Sequence, residues 1–251
     1  MSAWTKTITL AVAAASIGAL ALTITPAEAG PVSSLTASFY TLAPNHPDVE
    51  HGIDGGAVTG LVNSTLSAGG LPTVSLFGAG YSGPSGPITD VNGAGELQWW
   101  TAHGGIVSFV STSTVTLPYS EHLFPPPTFS FNGPPVGYVS ARLDGSFTLP
   151  SAGSITIDLG SDDDGWVFVD GQLVVDNGGV HADVVAPITT AILAAGSHTL
   201  SVFFADRHEV ESQLTFSADV SFAPVPEPAS LALLGAGLAG LGLVRRQRRK
   251  A

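Results

Sequence analysis

Residues 161–175 read SDDDGWVFVDGQLVV and are the most informative stretch of this chain. Apolar residues flank Asp170-Gly171, a dipeptide typical of tight β-hairpin turns. We therefore expect two adjacent antiparallel strands that turn at Asp170-Gly171. The three consecutive carboxylates Asp162, Asp163 and Asp164 precede the first strand, and like charges this close either raise one another's pKa or bind a cation.

Strand patterns recur elsewhere in the chain. Apolar residues alternate with polar ones in residues 155–159 and 214–222, and residues 199–204 are typical of another strand. The 30 Gly and 18 Pro residues divide the chain into short segments, and residues 44–58 and 79–95 look like long loops. Many short strands separated by turn residues predict an all-β sandwich or barrel.

Charge and cysteine content exclude several classes of function. Between residues 30 and 223 the basic residues are Arg142 and Arg207, against 18 Asp and Glu. Such an acidic body repels nucleic acid and anionic membranes and favours cations. The chain has no cysteine, so neither disulfides nor thiolate metal ligands are available. Hard oxygen ligands without cysteine favour Ca²⁺ over zinc or copper.

Both ends of the chain resemble targeting segments. Lys6, an apolar run over residues 8–24 and Ala27-Glu28-Ala29 predict a secretory signal peptide over residues 1–29, although a retained anchor helix is the alternative. Near the other end, Pro226-Glu227-Pro228 precedes an apolar segment over residues 229–244 and a basic tail. This segment has 16 residues, slightly fewer than the ~20 of a typical transmembrane helix. The basic tail would remain cytoplasmic and the body outside.

The tail over residues 224–251 is similar to the PEP-CTERM sorting signal of Gram-negative bacteria. This resemblance implies recognition of Pro226-Glu227-Pro228 by an exosortase-type membrane protease. It also implies membrane contact through the helix before processing. The expected location is the cell surface or extracellular matrix.

Residues 30–223 resemble a fibro-slime domain, a branch of the sugar-binding sandwich first seen in the anthrax protective antigen. Matching stretches are residues 161–176, 178–181 and 203–208, with two further landmarks at residues 46–50 and 96–100. The resemblance implies a single domain with two antiparallel sheets.

Related adhesins hold Ca²⁺ through two consecutive aspartates joined by a cis peptide bond, and sugar hydroxyls bind the ion. Carried over, the resemblance implies Asp162, Asp163 and Asp164 as metal ligands, with Asp163-Asp164 the expected pair and the register open by one residue. Asn177 is the counterpart of an asparagine that completes such sites.

Alternatives accompany each remaining candidate. Trp166 is a candidate for stacking on a sugar, but its apolar strand favours a core role. Asp170 is fully explained by turn chemistry, with metal binding as the alternative. His181 either binds sugar or packs at the base of a loop, and Arg207 is expected to pair with the acidic run or with Asp206. The acidic run itself could be solvated surface.

We expect a secreted, surface-sorted, calcium-dependent carbohydrate-binding protein that acts in adhesion or attachment to exopolysaccharide. The alternative is a structural matrix protein with structural calcium and no sugar binding. A hydrolase is disfavoured, because glycoside cleavage uses two carboxyl groups that flank the scissile bond rather than neighbours in one loop. No catalytic residues are therefore predicted.

Overall fold

The computed structural model describes residues 33–123 and 137–224, without the side chains of residues 186 and 187. The strands in these ranges are β1 (Ser34–Leu42), β2 (Val107–Thr116), β3 (Tyr119–His122), β4 (Tyr138–Leu149), β5 (Thr156–Asp162), β6 (Asp164–Val169), β7 (Gln172–Asn177), β8 (Ala186–Thr189), β9 (Gly196–Ala205), β10 (Gln213–Ala218) and β11 (Ala223–Pro224). A short helix, α1 (Leu76–Ala79), lies between β1 and β2. The all-β prediction is confirmed.

The strands form two antiparallel sheets. The large sheet has the order β2-β1-β4-β9-β6-β7, with β11 paired to β4, and the small sheet has the order β3-β10-β5-β8. The strand pairs within each sheet are antiparallel. This arrangement agrees with the expected two-sheet architecture.

The predicted hairpin is present as β6 and β7. Its two turn residues, Asp170 and Gly171, have φ angles of 49° and 74°. Both values are positive, as a two-residue hairpin turn of type I′ requires. The other predicted strands correspond to β5, β9 and β10, although the third of these ends at Ala218.

Side chains of β6 alternate between the two faces of the large sheet, and both faces are covered at this strand. Val167 and Val169 of β6 face a hydrophobic cluster that also contains Ile157 and Phe216 of the small sheet. The intervening Trp166 and Phe168 belong to a second cluster with residues of the long segment between β1 and β2. Every residue of β6 is therefore buried.

The second cluster shows what the long glycine-rich and proline-rich segments do. Residues of the β1–β2 connection pack on the face of the large sheet that the small sheet leaves open; they include Val49, Leu61, Ile88, Leu97, Trp99 and Trp100. These segments contain few regular elements, as expected, but they form a packed layer. The first residues of β6 and the residues after β9 are consequently enclosed between this layer and the two sheets.

The predicted end segments lie outside the described residues. These are the signal peptide over residues 1–29 and the transmembrane helix over residues 229–244 with its basic tail. Between residues 33 and 224, leaving aside residues 124–136, the helix content includes no segment with the length and hydropathy to cross a membrane.

Candidate functional site

The acidic run lies where the chain crosses from one sheet to the other. Asp162 is the last residue of β5 in the small sheet, and Asp164 is the first residue of β6 in the large sheet. The peptide bond between Asp162 and Asp163 is cis. Of the three carboxylates, those of Asp162 and Asp163 line a pocket and that of Asp164 does not.

Asp163 is held by two main-chain amides. The amide of His181 donates to its Oδ1 at 3.1 Å, and the amide of Arg207 donates to its Oδ2 at 2.7 Å. Only 1% of Asp163 is exposed. Burial, together with the neighbouring Asp164 charge, raises the pKa of Asp163 to about 8. A cation in contact with this carboxylate would oppose that shift.

Asp162 is also buried and titrates at an unusually high pH. Burial raises the pKa of its carboxyl to about 6, and the charge of Glu211 acts in the same direction. Hydrogen bonding to Asp163 opposes the shift. Two adjacent carboxyl groups therefore share a site where negative charge is disfavoured unless a proton or a metal ion is present.

A pocket of about 260 Å³ opens beside this pair. It is lined by Ile53, Asp162, Asp163, Val180, His181, Ala182, His208, Val210 and Glu211. The wall contributed by Ile53 and Val210 is partly exposed, at 54% for each residue. The pocket therefore combines two carboxyl groups with an apolar rim.

Asp164 does not line this pocket, because it forms a buried ion pair. The Arg207 guanidinium donates from Nε to Oδ2 of Asp164 at 2.5 Å and from Nη2 to Oδ1 at 3.3 Å. The Gly179 amide donates to Oδ1 at 2.6 Å. Burial raises the pKa of Asp164, and Arg207 opposes that shift. The pairing expected for Arg207 is thus found, and it gives Asp164 a structural role in place of the predicted metal binding.

Asn177 lies next to the site without lining the pocket. Its side-chain amide donates to Oγ of Ser161 at 2.8 Å, and its main-chain carbonyl lies 3.4 Å from Nε2 of His181. This asparagine therefore supports the strand end before Asp162 and the ring of a pocket residue. The structure gives it no direct place among the groups that face the pocket.

His181 packs at the base of a loop, one of the two roles that the sequence left open, and sugar binding by this residue stays a prediction. Its ring packs at a loop base, where Nδ1 lies 2.9 Å from the carbonyl of Ala182 and only 2% of the residue is exposed. The same residue lines the pocket, and its main-chain amide holds Asp163. Its role is to shape the site.

Two predicted ligand-binding residues lie elsewhere. Trp166 is fully buried, packs against Trp99 and Trp100, and donates from Nε1 to Asp176 at 2.9 Å, so stacking on a sugar is ruled out in this fold. Asp170 lies in the hairpin turn at the opposite end of β6, where it accepts hydrogen bonds from Nδ1 of His198 and the amide of Thr199.

Sequence reasoning missed several residues around the pocket. Ile53, Val210 and Glu211 line it, but they come from two separate loops and match no local motif. Asp206 was considered only as a partner for Arg207, yet it is buried, and its pKa is raised well above the usual range by burial and by the Asp163 charge. Its position directly before Arg207 in the sequence was the one signal that could have drawn attention to Asp206.

The protein groups at this site do not complete a metal coordination sphere by themselves. Across residues 33–123 and 137–224, no three His, Asp or Glu side chains are arranged to hold a metal ion. Asp162 and Asp163 would supply two carboxylates, whereas Ca²⁺ takes 6–8 oxygen ligands. The donor set suits a partly open calcium site in which carbonyls, water or ligand hydroxyls supply the rest.

Sequence comparisons identify two segments of the chain. A PA14 domain model matches residues 129–224, and a PEP-CTERM protein-sorting motif matches residues 224–249. The predicted sorting signal with Pro226-Glu227-Pro228 is thereby confirmed, whereas assignment to the fibro-slime branch stays a prediction. Protein psiE of Dictyostelium discoideum is 34% identical over 64 residues, or 24% of this chain and 13% of that protein. The chain therefore spans a small part of this curated relative.

Two solved PA14 domains are also similar. A PA14 sugar-binding domain from an RTX adhesin has 16% identity and a TM-score of 0.34, covering 76% of this chain and 94% of that domain. The PA14 domain of MpAFP antifreeze protein has 11% identity and a TM-score of 0.35, covering 79% of this chain and 96% of that domain. In its sequence matches, this chain is similar to a PA14 domain over residues 129–224 and to a PEP-CTERM protein-sorting motif over residues 224–249.

Proposed function

We propose that this protein is an extracellular carbohydrate-binding protein whose PA14 domain binds sugar through a calcium ion at Asp162 and Asp163. The observation that carries the proposal is the pair of buried, adjacent carboxyl groups at one pocket. Export and location at the cell surface or outside the cell follow from the PEP-CTERM motif. We also propose that an exosortase-type protease cleaves the chain and that the host is a Gram-negative bacterium.

The electrostatics of the pocket favour a cation. Asp162, Asp163 and Glu211 place three carboxyl groups there, each able to become negatively charged. The guanidinium of Arg207 is paired with Asp164, so it forms no direct ion pair with the carboxylate of Asp162 or Asp163. A divalent ion with oxygen ligands would remove the repulsion between Asp162 and Asp163, since ligation favours the deprotonated carboxylates.

The apolar rim supports a sugar as the ligand. A sugar ring presents hydroxyl groups at its edge and C–H groups on its faces. Hydroxyls can occupy the ion's open coordination positions, while Ile53 and Val210 offer apolar contact for the C–H groups. We therefore assign the pocket to a carbohydrate or exopolysaccharide segment.

We propose a binding role without catalysis. The carboxyl groups of Asp162 and Asp163 belong to consecutive residues that line the pocket. Glycoside hydrolysis needs two carboxyl groups placed on either side of the scissile bond, roughly 5–9.5 Å apart. Asp164 is engaged by Arg207 and Gly179, so the carboxyl groups that line the pocket are those of Asp162, Asp163 and Glu211.

Calorimetric titration with Ca²⁺ tests this assignment. We expect the wild-type protein to bind about one ion and the Asp162→Asn/Asp163→Asn variant to bind none. Asp170→Asn is the matched control, because it removes a carboxylate at the far end of β6 and should leave binding unchanged. Equal binding by wild type and double variant would refute the site.

A glycan array then tests the ligand, run with Ca²⁺ and again with EDTA. Sugar binding that needs calcium and Asp162-Asp163 is the expected result. Calcium binding that raises the melting temperature without any sugar affinity would instead favour the structural matrix protein. Sugar binding that persists in EDTA would contradict calcium-dependent recognition.

A further inference from the structure

Glu211 is a pocket carboxylate that has no partner of its own. It lines the pocket together with Asp162 and Asp163, and it is exposed to solvent. Within the described part of the chain, no hydrogen bond or ion pair to its side chain is found. Burial raises the pKa of Asp162 and of Asp183, and the negative charge of Glu211 adds to both shifts. This charge therefore acts on neighbouring carboxyl groups without being neutralised.

The calcium ion proposed at Asp162 and Asp163 leaves the charge of Glu211 unbalanced. No three His, Asp or Glu side chains of the described ranges are arranged to hold one metal ion, so Glu211 is not placed as a third protein ligand of this ion. A divalent cation balances the two aspartates that bind it, because each carboxylate carries one negative charge. One negative charge then stays at the pocket, on the residue that directly follows Val210 of the apolar rim.

The arginines of the described ranges are engaged away from Glu211. The basic residues there are Arg142 and Arg207. Nε of Arg142 lies 2.7 Å from Oδ2 of Asp144, and Arg207 forms the buried pair with Asp164. Neither arginine lines the pocket. Glu211 therefore has no lysine or arginine partner among the residues that the structure describes.

The two imidazole rings at the pocket are also engaged. Nδ1 of His208 accepts a hydrogen bond from the Val210 amide at 3.4 Å, and a ring that accepts in this way is uncharged. Nδ1 and Nε2 of His181 lie 2.9 Å and 3.4 Å from main-chain carbonyls. Neither ring forms an ion pair with Glu211 in the described structure. A positive charge beside Glu211 would therefore have to come from the ligand.

We propose that the pocket prefers polysaccharides with unsubstituted amino groups, because Glu211 pairs with the ammonium group of an amino sugar. This inference rests on the calcium-dependent sugar binding proposed above. The ion would take sugar hydroxyls, Ile53 and Val210 would contact the apolar face of the ring, and Glu211 would bind the charged substituent. Hydrogen bonds between an ammonium group and a carboxylate are stronger than those between neutral groups. An N-acetylated sugar offers Glu211 only a neutral amide.

Acidic sugars are disfavoured by the same carboxylate. A uronic acid or a sulfated sugar would bring a second negative charge next to Glu211, and like charges placed together reduce affinity for the wrong ligand. The segment from residue 30 to residue 223 has 18 acidic and two basic residues, so the field of the whole domain acts in the same direction. We therefore expect affinity to fall from amino sugars to neutral sugars and then to acidic sugars.

Calorimetric titration of the full chain with matched tetrasaccharides tests this preference. The probes are glucosamine and galactosamine tetramers, each with free amines and fully N-acetylated, in saturating Ca²⁺ at about pH 6, where amines are protonated. We expect the wild type to bind a free-amine tetramer about fivefold more tightly than its acetylated form. Glu211→Gln should abolish this ratio. Glu209→Gln is the matched control and should keep it, because Glu209 is an exposed carboxylate of the same loop that does not line the pocket.

Comparing the ratios between variants cancels the effect of the bulk of the acetyl group, which is the same in each protein. The wild-type ratio should also shrink between 0.01 M and 1 M salt, as the Debye length falls from about 30 Å to about 3 Å. Equal or tighter binding of acetylated or acidic sugars, or a ratio that survives Glu211→Gln, overturns this inference and leaves calcium-dependent sugar binding in place. A wild-type protein that binds no glycan in Ca²⁺ overturns both proposals.

Discussion

Arg207 and Asp164 form an ion pair in which neither side chain is exposed to solvent. The guanidinium group also lies over the ring of Trp99, with Cζ 5.2 Å from the ring centroid, and donates from Nη1 towards the carbonyls of Asp48 and Ser85. Arg207 therefore joins the start of β6 to the loop layer that covers the large sheet.

Arg207→Met should lower the free energy of unfolding by about 3–5 kcal/mol, because the Asp164 carboxylate would remain buried without its partner. Urea denaturation at pH 7 measures this loss. Arg142→Met is the control, since its pair with Asp144 is about a quarter exposed and such pairs contribute about 0–1 kcal/mol. Similar losses for the two variants would contradict the structural role assigned to Arg207.

Calcium binding at Asp162 and Asp163 should strengthen as the pH rises from 5 to 9. The pKa values of these carboxyls are raised to about 6 and about 8, so protons compete with the ion below those values. In EDTA, where no ion is bound, the stability of the fold changes with pH in the opposite direction. A carboxyl with a raised folded-state pKa favours the folded state when protonated, so stability falls as the pH rises from about 4 to about 8.

Melting temperatures measured across this pH range, with Ca²⁺ and with EDTA, check both statements. The two curves should diverge as the pH increases, and calorimetry should record proton release on ion binding. Parallel curves would show that these carboxyls do not hold the ion. Asp170→Asn serves again as the control, because its carboxylate lies at the hairpin turn.

Substitutions at Trp166 and Ile53 should affect different properties, the first the stability of the fold and the second the affinity for sugar. Trp166→Ala removes a fully buried side chain and should cost about 3–5 kcal/mol of unfolding free energy. Ile53→Ala changes a side chain that is 54% exposed at the pocket rim, so stability should change little while sugar affinity falls roughly fivefold. Chemical denaturation and glycan titration measure the two effects. A fall in stability without any loss of sugar affinity in Ile53→Ala would contradict the rim assignment.

Gly171→Ala should destabilise the β6–β7 hairpin through its backbone alone. Gly171 has a φ of +74°, and a Cβ added there meets no atom within 4 Å. The expected cost is therefore the left-handed conformation itself, about 1–2 kcal/mol. Gly93→Ala is the matched control, with equally open space and no positive φ, and should be neutral or slightly stabilising. Thermal unfolding of both variants decides between backbone and packing effects.

Local sequence patterns predicted the hairpin and its neighbouring strands, because the residues that specify a turn or a strand lie close together in the chain. Asp170-Gly171 specifies the turn, and the apolar residues around it identify β6 and β7. Strand β2 escaped prediction because its exposed serines and threonines do not alternate with apolar residues. Strand β4 carried an available signal, since Val139, Ala141 and Leu143 alternate with polar residues.

The sequence predicts the candidate site as an acidic run, but it does not show which of the three aspartates lines the pocket and which forms a buried ion pair. Nothing local distinguishes Asp164 from its two neighbours, because its partner Arg207 lies 43 residues further along the chain. The burial of Trp166 likewise depends on Trp99 and Trp100 from a distant loop. These long-range contacts assign one aspartate to the core and leave the other two at the pocket.

The crossing of the chain between sheets at the acidic run has a mechanical consequence. Asp162 ends a strand of the small sheet, and Asp163 is tied to the amide of Arg207, just beyond β9 of the large sheet. An ion shared by these two carboxylates would link the two sheets directly. A pulling force that separates the sheets would then have to break metal–oxygen bonds, so calcium would increase the load that the domain withstands.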